Sequence, residues 1–378
     1  MELLMSDKDF SDPIESILIF GGSGHVGQGL INYVLENAPS VKLRLATSDE
    51  SKVSVLSKSY PSAEVCVCSY YDYDAMLNAF EGMEAAYMIT PDFTDEELAT
   101  NNFINAAKHH GVIRHIVRLM GDPMGMTLDR VPEYLRNFNG GCSAAVGHTI
   151  ARKLFNDSGL PVTFTSIAAY YMDDLSGIWY GPGIVNGDVL AEVNCHHMAY
   201  IDAPEAGEAA ARIILRRDPK DIGADHILHN GIDCWDFHDV AAILSEELDR
   251  KITYQEGPEH YRKWMGKGID EKFGQGGTDF MIAYFLWEEG SIADIVRDTL
   301  GGVKGSVAAW VHLKAPRWLR ESLFRRLWNA KTEGIYFSDL ENILQRKPKS
   351  LRQWIQENKY DFESHNELSV LNLSLSSK

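Results

Sequence analysis

Short apolar runs alternate with longer amphipathic segments through the first half of the chain. The apolar runs, several of them rich in β-branched residues, predict strands at 16–20, 41–46, 63–68, 84–90, 114–119 and 161–166. Helical spacing of apolar positions between these runs predicts helices at 25–37, 73–80, 94–110 and 144–157. Strands that alternate with helices pair in parallel through right-handed crossovers, so this half is predicted to form a doubly wound α/β sheet.

The pattern loosens after residue 167 into a stretch rich in aromatic residues and glycine. Helical or strand-like runs then return at 205–217, 225–230, 235–250 and 251–257. We therefore predict one domain at 14–167 and a smaller, interleaved region at 168–378 that assembles a substrate cleft.

Charge and composition limit the classes of partner that the chain is expected to bind. The chain has 36 Lys and Arg against 54 Asp and Glu, and the resulting net charge of −18 disfavours nucleic acid. The longest apolar run, at 280–287, is far shorter than the roughly 20 residues of a membrane-spanning helix. The N-terminal residues lack the pattern of a secretory signal. The 5 cysteines are an odd number and do not indicate a closed set of disulfide bonds. We expect a cytoplasmic protein with no integral membrane association.

A basic segment reverses this charge at 314–352. Tryptophans and leucines interleave with its first arginines at roughly helical spacing, which is typical of a helix that docks on a protein partner or a membrane surface. A helix that packs its tryptophans on its own protein has the same pattern, and we favour that interpretation. Neither the Cys66 and Cys68 pair nor the histidine doublets have further ligands at metal spacing, so no metal site is predicted.

A glycine-rich turn carries the strongest functional signal. It lies where the first predicted strand meets the first predicted helix, and its candidate binding residues are Gly21, Ser23, Gly24, His25, Val26 and Gly27. The first glycine permits the turn, the second leaves room for a diphosphate, and the third lets the helix lie close to the strand. Exposed amides at the helix N-terminus would bind the diphosphate of a dinucleotide. The alternative is a turn that serves packing alone.

The end of the second strand bears on the choice of cofactor. Thr47 and Ser48 occupy the positions nearest the ribose, and Lys52 can reach over it, which favours the extra phosphate of NADP(H). Asp49 and Glu50 argue for NAD, so NADP(H) is predicted with NAD as the alternative.

Residues after the third and fourth strands complete the predicted cofactor site. Asp72 is placed to border an adenine ring or, equally, to cap the next helix. Thr90 and Pro91 follow the fourth strand at the edge where open α/β sheets bind ligands.

The substrate is expected beyond the sixth strand. Tyr170, Tyr171, Asp173 and Asp174 follow that strand at the same sheet edge. Aromatic walls with a buried carboxylate suit a flat, cationic small molecule such as a protonated amine or an iminium ion. The alternative places the tyrosines in the core and makes Asp173 a helix cap.

Five segments of the sequence carry a family resemblance. They are the glycine turn and the stretches at 85–93, 100–119, 148–174 and 338–358. Together they resemble the NmrA-like branch of the atypical short-chain dehydrogenase/reductases, of the type found in fungal specialised metabolism. The resemblance covers most of 14–270 and again 335–360, and it implies a Rossmann-type fold that binds NAD(P). The stretch at about 285–332 has no counterpart in the resemblance, and a helical insertion is expected there.

The resemblance also directs attention to the catalytic dyad. Typical short-chain dehydrogenases use a Tyr-x-x-x-Lys pair, and the two corresponding positions here are Ala144 and His148. Related isoflavone-reductase-like enzymes have their catalytic lysine where this chain has His148. A histidine there could exchange protons near neutral pH, or it could be a hydrogen-bonded residue of the helix without a chemical role.

Three functions fit these features. The first is an NADP(H)-dependent oxidoreductase of secondary metabolism that acts on an iminium- or amine-type, alkaloid-like molecule and could couple the redox step to cyclisation. The second is a redox-sensing regulator that binds NAD(P) without turnover. The third is a cyclase of the Diels–Alderase type that retains the nucleotide pocket. We favour the first, because iminium reduction needs little proton relay.

Overall fold

A computed structural model describes residues 12–122, 126–167, 169–300 and 337–363, together with Leu319 and Ser322. The strands in chain order are β1 (Ser16–Phe20), β2 (Lys42–Thr47), β3 (Glu64–Val67), β4 (Ala85–Met88), β5 (His115–Met120), β6 (Val162–Ile167), β7 (Tyr170–Tyr171), β8 (Val189–Glu192), β9 (Met198–Ile201), β10 (Asp225–Leu228), β11 (Cys234–Trp235) and β12 (Thr253–Glu256).

Helices follow most of these strands. They are α1 (His25–Asn37), α2 (Val53–Ser59), α3 (Tyr73–Phe80), α4 (Glu96–His110), α5 (Ala144–Ser158), α6 (Gly181–Gly187), α7 (Ala203–Arg216), α8 (Phe237–Leu248), α9 (Pro258–Phe273), α10 (Gly277–Leu300), α11 (Leu340–Leu344) and α12 (Leu351–Glu357). Among the described residues, none of these helices combines the length and the apolar character needed to cross a membrane.

A seven-stranded parallel sheet forms the centre of the protein, in the order β10-β6-β5-β4-β1-β2-β3. The inner strands β1, β4, β5 and β6 are buried on both faces, which explains the nearly continuous apolar sequences of β1 and β4. Separate apolar cores cover the two faces, one under α1 and α7 and the other under α3, α4 and α5. The predicted doubly wound parallel sheet is confirmed.

Residues beyond 168 complete this sheet. Strand β10 forms its edge beside β6, and α7 packs against α1. The two helices approach backbone to backbone, because a methyl group on Gly29 would lie 2.1 Å from the Pro204 carbonyl oxygen and one on Gly207 only 1.8 Å from the Val26 carbonyl oxygen. The interleaving expected from the sequence therefore begins with α7.

The remaining strands and helices build a second lobe. Strands β11, β9 and β7 form a three-stranded sheet, and β12 pairs in parallel with β8. Helix α9 was not among the predicted elements. Its buried stripe of Tyr261, Met265 and Ile269 has helical spacing, but Gly266 and Gly268 interrupt the helical signal of the sequence.

The basic segment is only partly described. Most of 314–336, including its tryptophans, lies outside the described residues, as does the insertion beyond residue 300. The first part of the expected insertion continues helix α10.

The described end of the basic segment packs on the protein itself. Arg346 pairs with Glu205 and Glu208 of α7, and Lys349 lies 2.8 Å from a carboxylate oxygen of Asp202. These ion pairs hold the segment that joins α11 to α12 against α7, which packs on the central sheet. Docking of a protein partner on the rest of the segment stays a prediction.

Candidate functional site

The candidate site lies at the carboxyl edge of the central sheet. Strand β1 stands between β4 and β2, so the strand order reverses beside it. The chain runs from β1 to β2 and β3 on one side of the sheet and then returns to β4 on the other side. Open α/β sheets bind ligands in the crevice that such a reversal creates. The glycine turn begins directly at the end of β1, inside this crevice.

The glycine turn presents backbone amides to that crevice. Gly21 has a φ of +78°, and the Gly24 amide donates a hydrogen bond to the Gly21 carbonyl oxygen at 3.0 Å. Helix α1 then begins at His25 without a side-chain cap. The first amides of an α-helix have no acceptor within the helix, so those of His25 and Val26 can serve an anion.

Gly24 and Gly27 of the turn are glycine for different reasons. A methyl group on Gly27 would lie 2.2 Å from the Gly21 carbonyl oxygen, so the fold itself requires glycine there. A methyl group on Gly24 would meet only that same oxygen, at 3.6 Å, which is an ordinary contact. Glycine at position 24 is therefore not required by packing, and the space beside it is open to a ligand.

The residues after β2 lie beside this turn, and one of them contacts it. Lys52 approaches Ser23 of the turn, with 3.5 Å between its Nζ and the serine Oγ, and burial lowers the pKa of the Lys52 amine. Asp49 instead caps a short helical turn by accepting hydrogen bonds from the amide of Ser51 at 3.0 Å and from its hydroxyl at 2.6 Å. Thr47 is buried and bonds to the Asp49 backbone. A cation, rather than a free carboxylate, thus faces the turn.

Two predicted cofactor residues have local structural partners. Asp72 is exposed and caps α3 by accepting a hydrogen bond from the Ala75 amide at 2.9 Å, which matches the alternative role raised from the sequence. Ser48 is exposed beside the turn. Both residues remain predicted ligands of the cofactor.

The loop after β4 is held in an unusual conformation. Phe93 has a φ of +63°, a region that non-glycine residues rarely occupy. Asp92 accepts a hydrogen bond from the Ala144 amide at 2.7 Å and so ties the loop to the start of α5. Such strain concentrates at functional sites, and here it falls beside the predicted Thr90 and exposed Pro91.

His148 belongs to a buried network rather than to an open cleft. Its Nε2 lies 3.1 Å from the Thr90 hydroxyl, and its Nδ1 accepts a hydrogen bond from the Gly121 amide at 2.7 Å. Arg118 donates to the Thr90 hydroxyl at 2.7 Å and to Glu96 at 2.8 Å. The His148 side chain is 3% exposed.

This environment keeps the His148 ring neutral. Burial, followed by the charges of Arg118 and Arg152, lowers the pKa of His148 well below its usual range. Because Nδ1 accepts the Gly121 proton, the ring proton is assigned to Nε2. A neutral histidine with both nitrogens engaged positions the end of β5 against α5. The acid–base role predicted for it stays a prediction that this geometry does not favour.

The two predicted tyrosines do not share one wall. Consecutive strand residues point to opposite faces, and Tyr170 and Tyr171 form strand β7. The Tyr170 hydroxyl lies 3.1 Å from Nε2 of His196 in the second lobe. The Tyr171 hydroxyl is buried against the first core and has no hydrogen-bond partner among the described residues. Only Tyr170 therefore faces the second lobe.

Asp173 connects the second lobe to the glycine turn. Its Oδ2 forms a short hydrogen bond with Nδ1 of His25, and this bond raises the pKa of His25 against the opposing effect of burial. Its other oxygen, Oδ1, is buried without a hydrogen-bond partner in the described part of the chain. The alternative role of Asp173 as a helix cap is not seen, since its side chain instead contacts the turn and closes one side of the crevice.

Additional charged groups, some missed by the sequence analysis, lie around this contact. Burial raises the pKa of Asp92, and burial together with the charge of Asp173 raises that of Asp174. Lys272, at the end of α9, interacts with both carboxylates, although burial lowers the pKa of its amine. Lys272 was not predicted, because the sequence offers no signal that α9 reaches the sheet edge.

A second acidic pair lies deeper in the second lobe. Glu192 ends β8 with 1% exposure, and Glu288 lies on α10. Burial raises the pKa of each carboxyl group to about 7, and the charge of Glu288 adds to the rise in the pKa of Glu192. A carboxylate at the end of an apolar run is the one sequence signal that could have marked both residues.

Two groups of residues have the proximity of metal ligands. The side-chain ligand atoms of His197, Asp236 and Asp239 lie within 4.8 Å of one another. A second group, of Cys195, His238 and Glu256, meets the same spacing. The histidine doublet at 196–197 therefore has acidic neighbours that the sequence does not reveal.

We expect the Asp173→Asn substitution to lower the pKa of His25, because the hydrogen bond to Asp173 is the largest influence that raises it. The pKa is measured by NMR titration of the His25 ring. Asp361→Asn is the control, since Asp361 contributes least among the groups that raise this pKa. An unchanged His25 pKa in Asp173→Asn would contradict the contact.

We expect Glu192→Gln to stabilise the protein at pH 8 relative to pH 5. The pKa of Glu192 is about 7 in the folded protein and 4.5 in the unfolded chain, so wild-type stability falls as pH rises between these values. Glutamine does not ionise and escapes this loss. Thermal unfolding at both pH values measures the difference, with exposed Glu97→Gln as control. An equal shift at both pH values would show that Glu192 is not buried as described.

The chain resembles known proteins both in sequence and in fold. Residues 13–129 match the sequence model of the NmrA-like family. No curated protein matches the sequence. Among solved structures, NmrA, a negative transcriptional regulator in complex with NAD, has a TM-score of 0.61 and 16% identity, with 95% of this chain and 100% of that chain covered.

Two reductases have comparable similarity. The Citrobacter triphenylmethane reductase complexed with NADP(H) has a TM-score of 0.61 and 16% identity, with 90% of this chain and 99% of that chain covered. The NADPH-dependent quinone oxidoreductase of Escherichia coli, complexed with NADPH, has a TM-score of 0.56 and 19% identity with the same coverage. At such identities the likeness establishes a common fold. Residues 13–129 thus resemble the NmrA-like family in sequence, and the chain shares the Rossmann-type fold of these structures.

Proposed function

We propose that this protein is an NADP(H)-dependent oxidoreductase that binds the dinucleotide at the glycine turn and a small organic substrate in the adjoining second lobe. The observation that carries the proposal is the open space beside Gly24 at the uncapped N-terminus of α1. The NmrA-like sequence of this region supports it, as do structures of similar fold that contain NADP(H), NADPH or NAD.

The environment of the turn favours NADP(H) over NAD. A 2′-phosphate requires a cation near the end of β2, and Lys52 already reaches Ser23 there. Recognition of an unphosphorylated ribose uses a free carboxylate, whereas Asp49 is engaged with Ser51. We infer that Lys52 is the residue that discriminates between the two cofactors.

The substrate is proposed to be an iminium or amine. When bound, the nicotinamide ring supplies or accepts a hydride. Reduction of an iminium ion adds this hydride to carbon and leaves a neutral amine, so no proton has to reach nitrogen. This suits a chain with Ala144 and a neutral, buried His148 in place of the Tyr-x-x-x-Lys pair. Alkaloid-like substrates, secondary metabolism and a coupled cyclisation are supported by the sequence resemblance alone.

A second candidate is a regulator that binds NAD(P) without turnover. The buried network of His148, Glu96 and Arg118 favours it, because these residues are engaged with one another and leave no proton donor at that position. The cyclase alternative would use the same pocket. The regulator differs from both enzymes by having no small-molecule substrate.

We expect Gly24→Val to abolish NADPH binding, because the new side chain would fill the space assigned to the diphosphate. The backbone at Gly24, with a φ of −87° and a ψ of 163°, is one that valine adopts readily, so the fold should be retained. Calorimetric titration with NADPH measures the loss, and thermal unfolding checks the fold. Gly24→Ala should weaken binding less. Unchanged affinity in a folded Gly24→Val protein would remove the assignment.

We expect Lys52→Ala to weaken NADPH binding by about tenfold, the usual effect of losing a charge-assisted hydrogen bond. The affinity for NADH should change much less, because NADH lacks the 2′-phosphate. Exposed Lys58→Ala on α2 serves as the control for net charge. Equal losses for both dinucleotides would show that Lys52 does not contact the 2′-phosphate.

A further inference from the structure

The interior of the second lobe holds two carboxylates whose known partners are neutral. Glu192 accepts hydrogen bonds from the Tyr180 hydroxyl at 2.7 Å and from the Val193 amide at 2.6 Å. Glu288 accepts one from the Tyr284 hydroxyl at 2.6 Å. Burying a carboxylate is costly unless a positive charge or several donors compensate it. This pair is therefore a poor structural element and a good receptor for a cation.

The segments that bear the two glutamates are in contact, because the Asn194 side-chain amide donates a hydrogen bond to the Phe285 carbonyl oxygen at 3.1 Å. The charge of Glu288 raises the pKa of Glu192, in addition to the effect of burial. The Tyr170 ring lies 6.1 Å from the ring of Tyr180, whose hydroxyl donates to Glu192, and both carboxylate charges raise the pKa of Tyr170. The residues thus surround one region, which we call the acidic chamber: Glu192, Glu288, Tyr170, Tyr180, Tyr261 and Tyr284.

A separate observation indicates that the acidic chamber accepts a ligand. Tyr261 is 1% exposed, and its hydroxyl has no hydrogen-bond partner among the described residues. Its ring lies 5.7 Å from that of Phe285 and packs in the same core as Tyr284, and the charge of Glu192 raises the pKa of its hydroxyl. Buried hydroxyls are normally satisfied, and an unsatisfied one beside two carboxylates is typical of a binding site.

The surrounding groups make the chamber more acidic. Asp174 and Asp92 also raise the pKa of Tyr261, while Lys272 interacts with those two aspartates. The tyrosines stay neutral near pH 7, because burial raises their pKa values. The glutamates are thus the chamber's own source of negative charge.

We propose that the acidic chamber binds the positively charged nitrogen of an organic amine or iminium ion, with Glu192 and Glu288 as its charge partners and the tyrosine rings as its walls. Aromatic faces attract organic cations, and they distinguish this ligand from a hydrated metal ion. The assignment rests on the proposed function, since it names the substrate group that the oxidoreductase recognises. It moves the acidic anchor from Asp173, which is engaged with His25, to the two glutamates.

The chamber adjoins the cofactor site through the chain itself. Tyr170 lines the chamber and precedes by three positions Asp173, which contacts His25 at the start of α1. Tyr170 is thus three residues away from the contact that joins the second lobe to the glycine turn.

The test compares two probes that differ only in charge. 2-Phenylethylamine carries an ammonium group where 2-phenylethanol carries a hydroxyl. In calorimetric titrations of the full chain without cofactor, we expect the amine to bind at least about tenfold more tightly than the alcohol, a difference of about 1.4 kcal/mol. Glu192→Gln and Glu288→Gln should each remove most of this preference.

Exposed Glu256 is the matched control, because it stands opposite Glu192 in the pairing of β12 with β8. Glu256→Gln should retain the preference for the amine. NADPH affinity, measured in every variant, separates the two proposals: glutamine variants that lose the amine but keep NADPH support the chamber. Equal binding of both probes to the wild type, or binding of Mn²⁺ at the glutamates in place of the amine, would overturn the inference. A wild-type protein that prefers the amine but does not bind NADPH would count against the oxidoreductase and would still support the chamber.

Discussion

The close approach of helix α1 to its own glycine turn is the constraint on which the rest of the structure depends. A side chain at Gly27 would strike the Gly21 carbonyl oxygen, and one at Gly29 would strike the backbone of α7. The helix is therefore fixed on two sides by backbone rather than by adaptable side chains. This fixes the position of its N-terminal amides at the sheet edge, where Gly24 leaves space for a diphosphate.

Charge then links the turn to the second lobe. His25 at the start of α1 binds Asp173, and Lys52 stands over Ser23 on the other side of the turn. Positive groups thus collect around the turn, whereas carboxylates collect in the second lobe. Such a division suits an anionic cofactor beside a cationic substrate, and it follows from side chains that different elements contribute.

The sequence predicts the sheet well because the signals are local. Strands β1 and β4 are buried on both faces and are therefore almost entirely apolar, and the glycine turn is contained in seven consecutive residues. The site is less predictable because its contacts are not local. His148 lies in a helix whose sequence does not show that Thr90 and Gly121 occupy both of its nitrogens.

The acidic chamber shows the same limit. Glu192 and Glu288 are far apart in sequence and belong to a strand and a helix that meet only in the folded lobe. Tyr170 and Tyr171 are adjacent in sequence, yet the strand directs them to different cores. Local patterns predict which elements form, whereas the chemistry depends on how elements pack.

A crystal structure of the protein grown with NADP⁺ tests the central claim most directly. The account predicts a diphosphate within hydrogen-bonding distance of the His25 and Val26 amides, with the 2′-phosphate beside Lys52. A dinucleotide bound elsewhere, or a glycine turn without a diphosphate at saturating NADP⁺, would contradict it.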